Sequence, residues 1–177
     1  ENDLIESVDN YSKALISCNG KKILKLSDKD FAEDFSSLED DLDFASSYDS
    51  DISDILTAIA DSMDYTYQED SLKINNDDSE AEVLITFADY KSFLVDDEAT
   101  TDAETFIDAI SSAKVTQKDS IMLTIDMSKI DDEWVVVNSD EIVKEVYEFT
   151  DFDYTFLTLD PATKANLTVA SAGFYAY

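Results

Sequence analysis

The sequence predicts an α+β domain in which N-terminal helices pack on one face of a curved antiparallel sheet. Three observations carry that prediction. Apolar residues recur at steps of three and four from Leu4 to Met63, then alternate from Ala81 to Phe87 and again from Ile121 to Met127. Helices precede strands, an order that segregates the two into separate layers. Hydrophobic residues make up 44% of the 177, with ten Phe and nine Tyr, so a core can form although the net charge is −30. Disordered acidic chains lack that aromatic content.

Leu4, Ile5, Val8, Tyr11, Leu15 and Ile16 form the stripe of a first helix, which Asn19-Gly20 is expected to end through a glycine cap. Lys21 to Leu26 reads as a Lys-rich connector. Ser27 with Asp30 marks a capping start, and Phe31, Phe35, Leu38, Leu42 and Ala45 supply the buried face of one second helix. Its other face carries Glu33, Asp34, Glu39, Asp40, Asp41 and Asp43. Asp51 opens a third helix through Ile52, Ile55, Leu56, Ile59 and Met63.

The period then drops to two. Tyr65, Tyr67, Leu72 and Ile74 lie in a β-rich stretch, and a parity shift near Glu69-Asp70 predicts a bulge or turn. Asn75 to Ser79 is a polar turn into the strand Ala81–Phe87. Thr101-Asp102-Ala103-Glu104 reads as a capping box ahead of Phe106, Ile107 and Ile110. The strand Ile121–Met127 turns back at Asp131-Asp132-Glu133 into Trp134–Val137. Ser139, followed by Asp140 and Glu141, is the expected cap of a last helix through Ile142, Val143, Val146 and Tyr147. Phe152, Tyr154 and Phe156 alternate, Asp160-Pro161 turns, and Leu167, Val169 and Phe174 to Tyr177 look strand-like. The expected organisation is a domain over 1–150, then a C-terminal β hairpin or the start of a further domain over 151–177.

Composition excludes several function classes. The chain has no His and no Arg, and 42 Asp and Glu face 12 Lys. Without imidazole there is no triad base, and without guanidinium no bidentate phosphate clamp. Nucleic-acid binding needs clustered cations; only Lys21-Lys22 with Lys25 approaches a cluster, among acidic neighbours. Two glycines rule out a Gly-rich phosphate loop. Cys18 is alone, has no zinc spacing around it, and continues an apolar stripe, so it reads as a buried thiol. No apolar run is long enough to span a membrane. The chain opens at Glu1 without Met or a signal peptide, and reads as trimmed of its natural beginning.

The element order, with Tyr11 and Leu15 on the entry helix and Ser27-Asp28-Lys29-Asp30-Phe31 after it, resembles the nuclear transport factor 2-like (cystatin-like) superfamily. The strand Glu80-Ala81-Glu82-Val83-Leu84-Ile85-Thr86-Phe87 and the hairpin end Asp132-Glu133-Trp134-Val135-Val136-Val137 carry the likeness further, although the usual glycine of that turn is missing. The nearer likeness is to small extracytoplasmic lipoprotein domains of low-GC Gram-positive bacteria. It implies a cystatin-like cone, an extracytoplasmic location and a removed N-terminal lipid-anchor segment; Cys18 is not the lipidated cysteine of such proteins.

Candidate sites follow from these residues. Tyr65, Tyr67, Phe87, Met122 and Trp134 are the candidate lining of an apolar ligand pocket, against the simpler reading of core packing. Asp49-Ser50-Asp51-Ile52-Ser53-Asp54 begins like a calcium loop but places Asp54 and Ala60 where Gly and Glu are required; no metal and no cofactor is expected. The expected function is a non-catalytic cell-surface module binding a small molecule, peptide or protein, with homodimerisation open to it. An isomerase or hydro-lyase using an Asp/Tyr pocket is one alternative, and a structural spacer is the other.

Overall fold

The computed structural model describes residues 1–160 together with residues 162, 163 and 166. Helix α1 (Asn2–Ile16) buries Leu4, Val8, Tyr11 and Leu15, as its spacing requires. It ends at Cys18 rather than at the glycine: Cys18 takes a left-handed φ of 52° while Asn19 N–H closes the turn on Ala14 C=O at 3.0 Å. Gly20 instead opens α2 (Gly20–Leu26), where the Asn19 side chain caps Lys22 N–H at 3.0 Å. The expected connector is therefore a helix. Its glycine is needed for close approach, since a Cβ there would lie 2.6 Å from Leu38 O and 2.7 Å from Glu39 Cα.

The expected second helix is broken into α3 (Lys29–Asp34), α4 (Leu38–Asp41) and α5 (Phe44–Ser47). Asp40, Asp41 and Asp43 fall where a helix would end, and the macrodipole disfavours anions there. Phe44, not Ala45, carries the buried contact. Helix α6 (Ser50–Asp61) follows the predicted stripe, burying Ile55, Leu56 and Ile59.

The curled antiparallel sheet has the order β1-β3-β4-β5, from β1 (Asp64–Tyr67), β3 (Asp78–Ala88), β4 (Lys118–Ile130) and β5 (Glu133–Val136). Strand β2 (Lys73–Asn75) pairs β3 on the same edge as β1. The turn between β1 and β2 lies at the expected parity shift: Asp70 adopts φ 67°, and Ser71 Oγ accepts from Glu82 N–H at 3.0 Å. Ser79, Ala81, Val83 and Ile85 of β3, Leu123, Ile125 and Met127 of β4 and Val136 of β5 are buried toward the helices. The register Val83↔Leu123 and Ala81↔Ile125 makes these one apolar face.

Between β3 and β4 two helices are inserted, α7 (Tyr90–Leu94) and α8 (Ala103–Ser111), where one was expected. Helix α9 (Ser139–Val146) returns against β4. Beyond it, 3₁₀ turns at Glu148–Asp151 and Thr155–Thr158 replace the expected alternation of Phe152, Tyr154 and Phe156. Burial decides this: the Tyr154 hydroxyl donates to Phe149 C=O at 2.7 Å and its ring sits 6.2 Å from Phe106, inside the core. The remainder of the expected hairpin, from Leu167 to Tyr177, lies outside the described residues.

Candidate functional site

The sheet register does not bring the five aromatic and thioether candidates into one cavity. Tyr65 and Tyr67, opposite Ile85 and Val83, are half-buried on the helix-facing side of β1. Phe87 shares that side, opposite Asp119, with its ring 5.9 Å from Tyr90. Met122 pairs with Leu84 on the opposite face and is 49% exposed. Trp134 pairs with Lys129, ten residues along β4 from Asp119. At about 3.3 Å per residue that separates Trp134 from the Phe87 row by about 33 Å of strand. Trp134 lines a different groove of about 380 Å³ with Asp3, Glu6 and Lys25.

The concave face beside Phe87 is filled. Ile59 and Met63 from the α6 side and Val146 and Phe149 from the α9 side close over Ile121, leaving a cavity of about 120 Å³. Pockets that take drug-sized ligands run to about 300–1,000 Å³.

One Asp/Tyr pair does form. Tyr65 OH donates to Asp9 Oδ1, and Lys13 Nζ holds Asp9 Oδ2 at 2.7 Å. The pair lies at the outer junction of α1 and β1, and its electrostatics oppose acid–base work. The Lys13 bond, then the Tyr65 bond, lower the Asp9 pKa, which weakens it as a base. Desolvation and the Asp9 bond push Tyr65 up to about 12, which weakens it as an acid. An isomerase-type site needs both shifts reversed.

The polar groups of the interior are committed to one another. Tyr11 OH donates to Ser139 Oγ at 2.9 Å, Ser139 Oγ lies 2.6 Å from Ser27 Oγ, and Ser27 Oγ bonds Ile23 C=O at 2.6 Å. Tyr147 OH donates to Leu15 C=O at 2.6 Å. Cys18 lies beside Tyr147, and burial, then Asp61, push its thiol up to about 12, so it stays protonated at neutral pH. Among the described residues no three Cys, Asp or Glu side chains gather as a metal site, and no helix is long and apolar enough to cross a membrane.

A roomier concavity lies elsewhere. Between the α3–α5 segment and α9 runs a groove of about 480 Å³, with Phe35, Leu38, Leu42, Val143 and Tyr147 as its floor. Tyr48 stands on one lip, 37% exposed, and Asp41, Lys144 and Asp151 form the rim. Sequence reasoning missed it because a single helix over residues 31–45 would have buried this stripe. The one available signal was Tyr48, an aromatic standing in an otherwise polar stretch. Comparison with known proteins finds no family model that matches this chain and no curated protein similar to it in sequence.

Proposed function

We propose that this chain is a non-catalytic module of the bacterial cell surface, of the nuclear transport factor 2-like (cystatin-like) kind, that holds a peptide segment of a partner in the groove between α3–α5 and α9. The contrast between the two concavities carries the reading. The face that would serve a small-molecule or enzymatic site retains about 120 Å³, whereas the outer groove offers about 480 Å³ over an apolar floor. An apolar anchor side chain fits that floor, and basic residues beside the anchor complement Asp41, Asp151 and the net charge of −30. The surface charge and the resemblance of Leu4 to Ser139 support the extracytoplasmic, lipid-tethered setting. The polarity of the Asp9–Tyr65 pair speaks against the isomerase alternative. The filled concave face favours a structural spacer as the second reading.

Native mass spectrometry of protein purified from cells, followed by denaturing analysis of what it releases, tests this. A released peptide or protein whose binding is lost in Tyr48→Ala supports the groove. A bare protein selects the spacer, and an adduct that survives Tyr48→Ala places binding elsewhere.

A further inference from the structure

Parts of the sheet edges are closed by other segments, and one open stretch lies on β4. Strand β1 packs against α1, and the Asp64 side chain takes the Tyr65 N–H at 2.8 Å. The outer side of β5 is met by Asp28 N–H, which donates to Val136 C=O at 2.9 Å. On β4, Lys129 N–H donates to Asp77 C=O across the β3 side at 2.7 Å, so the odd-numbered residues bond β3 and the even-numbered ones face the other edge. Strand β5 covers that edge only as far as Asp126, whose carbonyl accepts from Val137 N–H at 2.8 Å. The Asn138 amide extends the cover by one step, bonding Asp126 N–H at 3.0 Å and Thr124 C=O at 2.8 Å. At the other end Asp119 takes Ser120 N–H at 2.8 Å.

Between these two caps four groups of the β4 edge have no hydrogen bond among the described residues: Ser120 C=O, Met122 N–H, Met122 C=O and Thr124 N–H. They are self-complementary. In an antiparallel pair centred on Met122, each Met122 exchanges both bonds with Met122 of the second copy. Each Thr124 N–H meets the Ser120 C=O opposite. Ser120 N–H and Thr124 C=O fall opposite each other as well, so the Asp119 and Asn138 side chains give way to that bond on pairing. Residues 120 to 125, Ser-Ile-Met-Leu-Thr-Ile, are also uncharged, in a chain that is 31% charged. Natural edge strands are ordinarily guarded by charge.

We propose that two copies of this chain pair edge to edge through Ser120–Thr124 of β4, across a two-fold axis at Met122, to make one continuous sheet. The pairing covers the half-exposed Met122 and extends its row on the outer face, Thr66–Leu84–Met122, into the same row of the second copy. It stands independently of the groove, which lies on α9 and the α3–α5 segment. Because each copy carries −30, association strengthens as salt screens the repulsion.

The test is sedimentation equilibrium of the full chain over a range of protein concentration and of NaCl, with two variants. The wild type is expected to approach twice 19.8 kDa, more readily at high salt. Met122→Glu, which sets like charges directly opposite each other, is expected to weaken association by about tenfold or more without changing the melting curve. Met122→Cys is expected to form a disulfide-linked dimer on mild oxidation, because paired Cα atoms about 5.5 Å apart suit a disulfide. Thr66→Cys, exposed on the same face but two strands away, is expected not to. A monomer under all conditions overturns the proposal and leaves the edge to a partner's strand. A dimer indifferent to Met122→Glu, or cross-linking equally well through Thr66→Cys, overturns it as well.

Discussion

Replacing Gly20 by alanine sets two expectations against each other. Helix propensity favours the change, because glycine within a helix costs about 0.5–1 kcal/mol relative to alanine. Gly20 has no positive φ, so nothing in its backbone conformation demands glycine. Packing opposes the change. The new methyl would sit 2.6 Å from Leu38 O and 2.7 Å from Glu39 N and Cα, against an ordinary contact of 3.4 Å or more. All three contacts are backbone, so no side chain can swing away and α2 must move off α4 by about 0.8 Å. Overpacking of this kind costs about 1–3 kcal/mol. At roughly 2–4 °C per kcal/mol for a domain of this size, the overpacking in Gly20→Ala is expected to lower the melting temperature by about 2–12 °C. Calorimetry and urea denaturation measure it. The double variant with Glu39→Ala is expected not to recover the loss, since the glutamate side chain is not what the methyl meets. A melting temperature equal to or above wild type refutes the argument that the α2–α4 crossing fixes this glycine.

Two further outcomes rest on the interior. Ser139→Ala strands the fully buried Tyr11 hydroxyl, so a loss of about 1–3 kcal/mol is expected in urea titrations. Adding Tyr11→Phe should recover part of it, and a double variant worse than the single would contradict the assignment. Stability is also expected to fall in alkali. Burial raises the pKa of Tyr11, Tyr147 and Tyr154, and desolvation with the Asp9 bond raises Tyr65 to about 12, all above the ordinary 10.0. A raised folded pKa means the native state holds the proton more tightly. Its contribution is therefore complete below pH 10 and is lost as pH rises, for Tyr65 through about 12. Following tyrosinate absorbance beside circular dichroism checks this; hydroxyls that titrate freely near their ordinary pKa in a folded chain would contradict it.

The layer order, α1, α6 and both long strands were legible because each rests on a long periodic pattern. The errors share one physical origin, a choice between neighbours that only tertiary contact makes. At Ser27-Asp28 and Thr101-Asp102 the hydroxyl residue looked like the cap, yet Asp28 and Asp102 accept from Phe31 N–H at 3.0 Å and Thr105 N–H at 2.7 Å. The Ser27 hydroxyl is consumed in the core. At Asn138-Ser139 the exchange is reversed: Ser139 enters the buried network while Asn138, in the cap position, spends its amide on β4. Either residue of each pair satisfies a local rule, and the long-range partner selects between them. The pocket candidates failed to converge for a related reason. Alternation sets Met122 apart from Leu123 and Ile125 within its own strand, but only the register reveals which face Tyr65, Phe87 and Trp134 share and how far apart along the sheet they fall.

The acidic composition has its clearest account in the backbone. A chain of this length usually turns on glycine and proline, and this one has two Gly and one Pro. Of the five described non-glycine residues with positive φ, four are Asp70, Asn76, Asp131 and Asp132, the residue types whose short polar side chains tolerate that region. Asp131 and Asp132, at φ 52° and 66°, form the two-residue hairpin turn in which both central residues need positive φ, the place where glycine was missed. Asp28, Asp89 and Asp102 cap helices, Asp96 and Asp153 cap turns, and Asp64 and Asp119 each take the N–H of the next residue. A cap contributes about 1 kcal/mol, whereas an exposed ion pair contributes about 0–1. Only four ion pairs form among the described residues, all with solvent-exposed side chains. Part of the carboxylate excess thus serves to shape the chain, and the associated repulsion is borne by the core. This is why clustered aspartates in this sequence do not by themselves mark a cation site, and why the informative stretch is the uncharged one on β4.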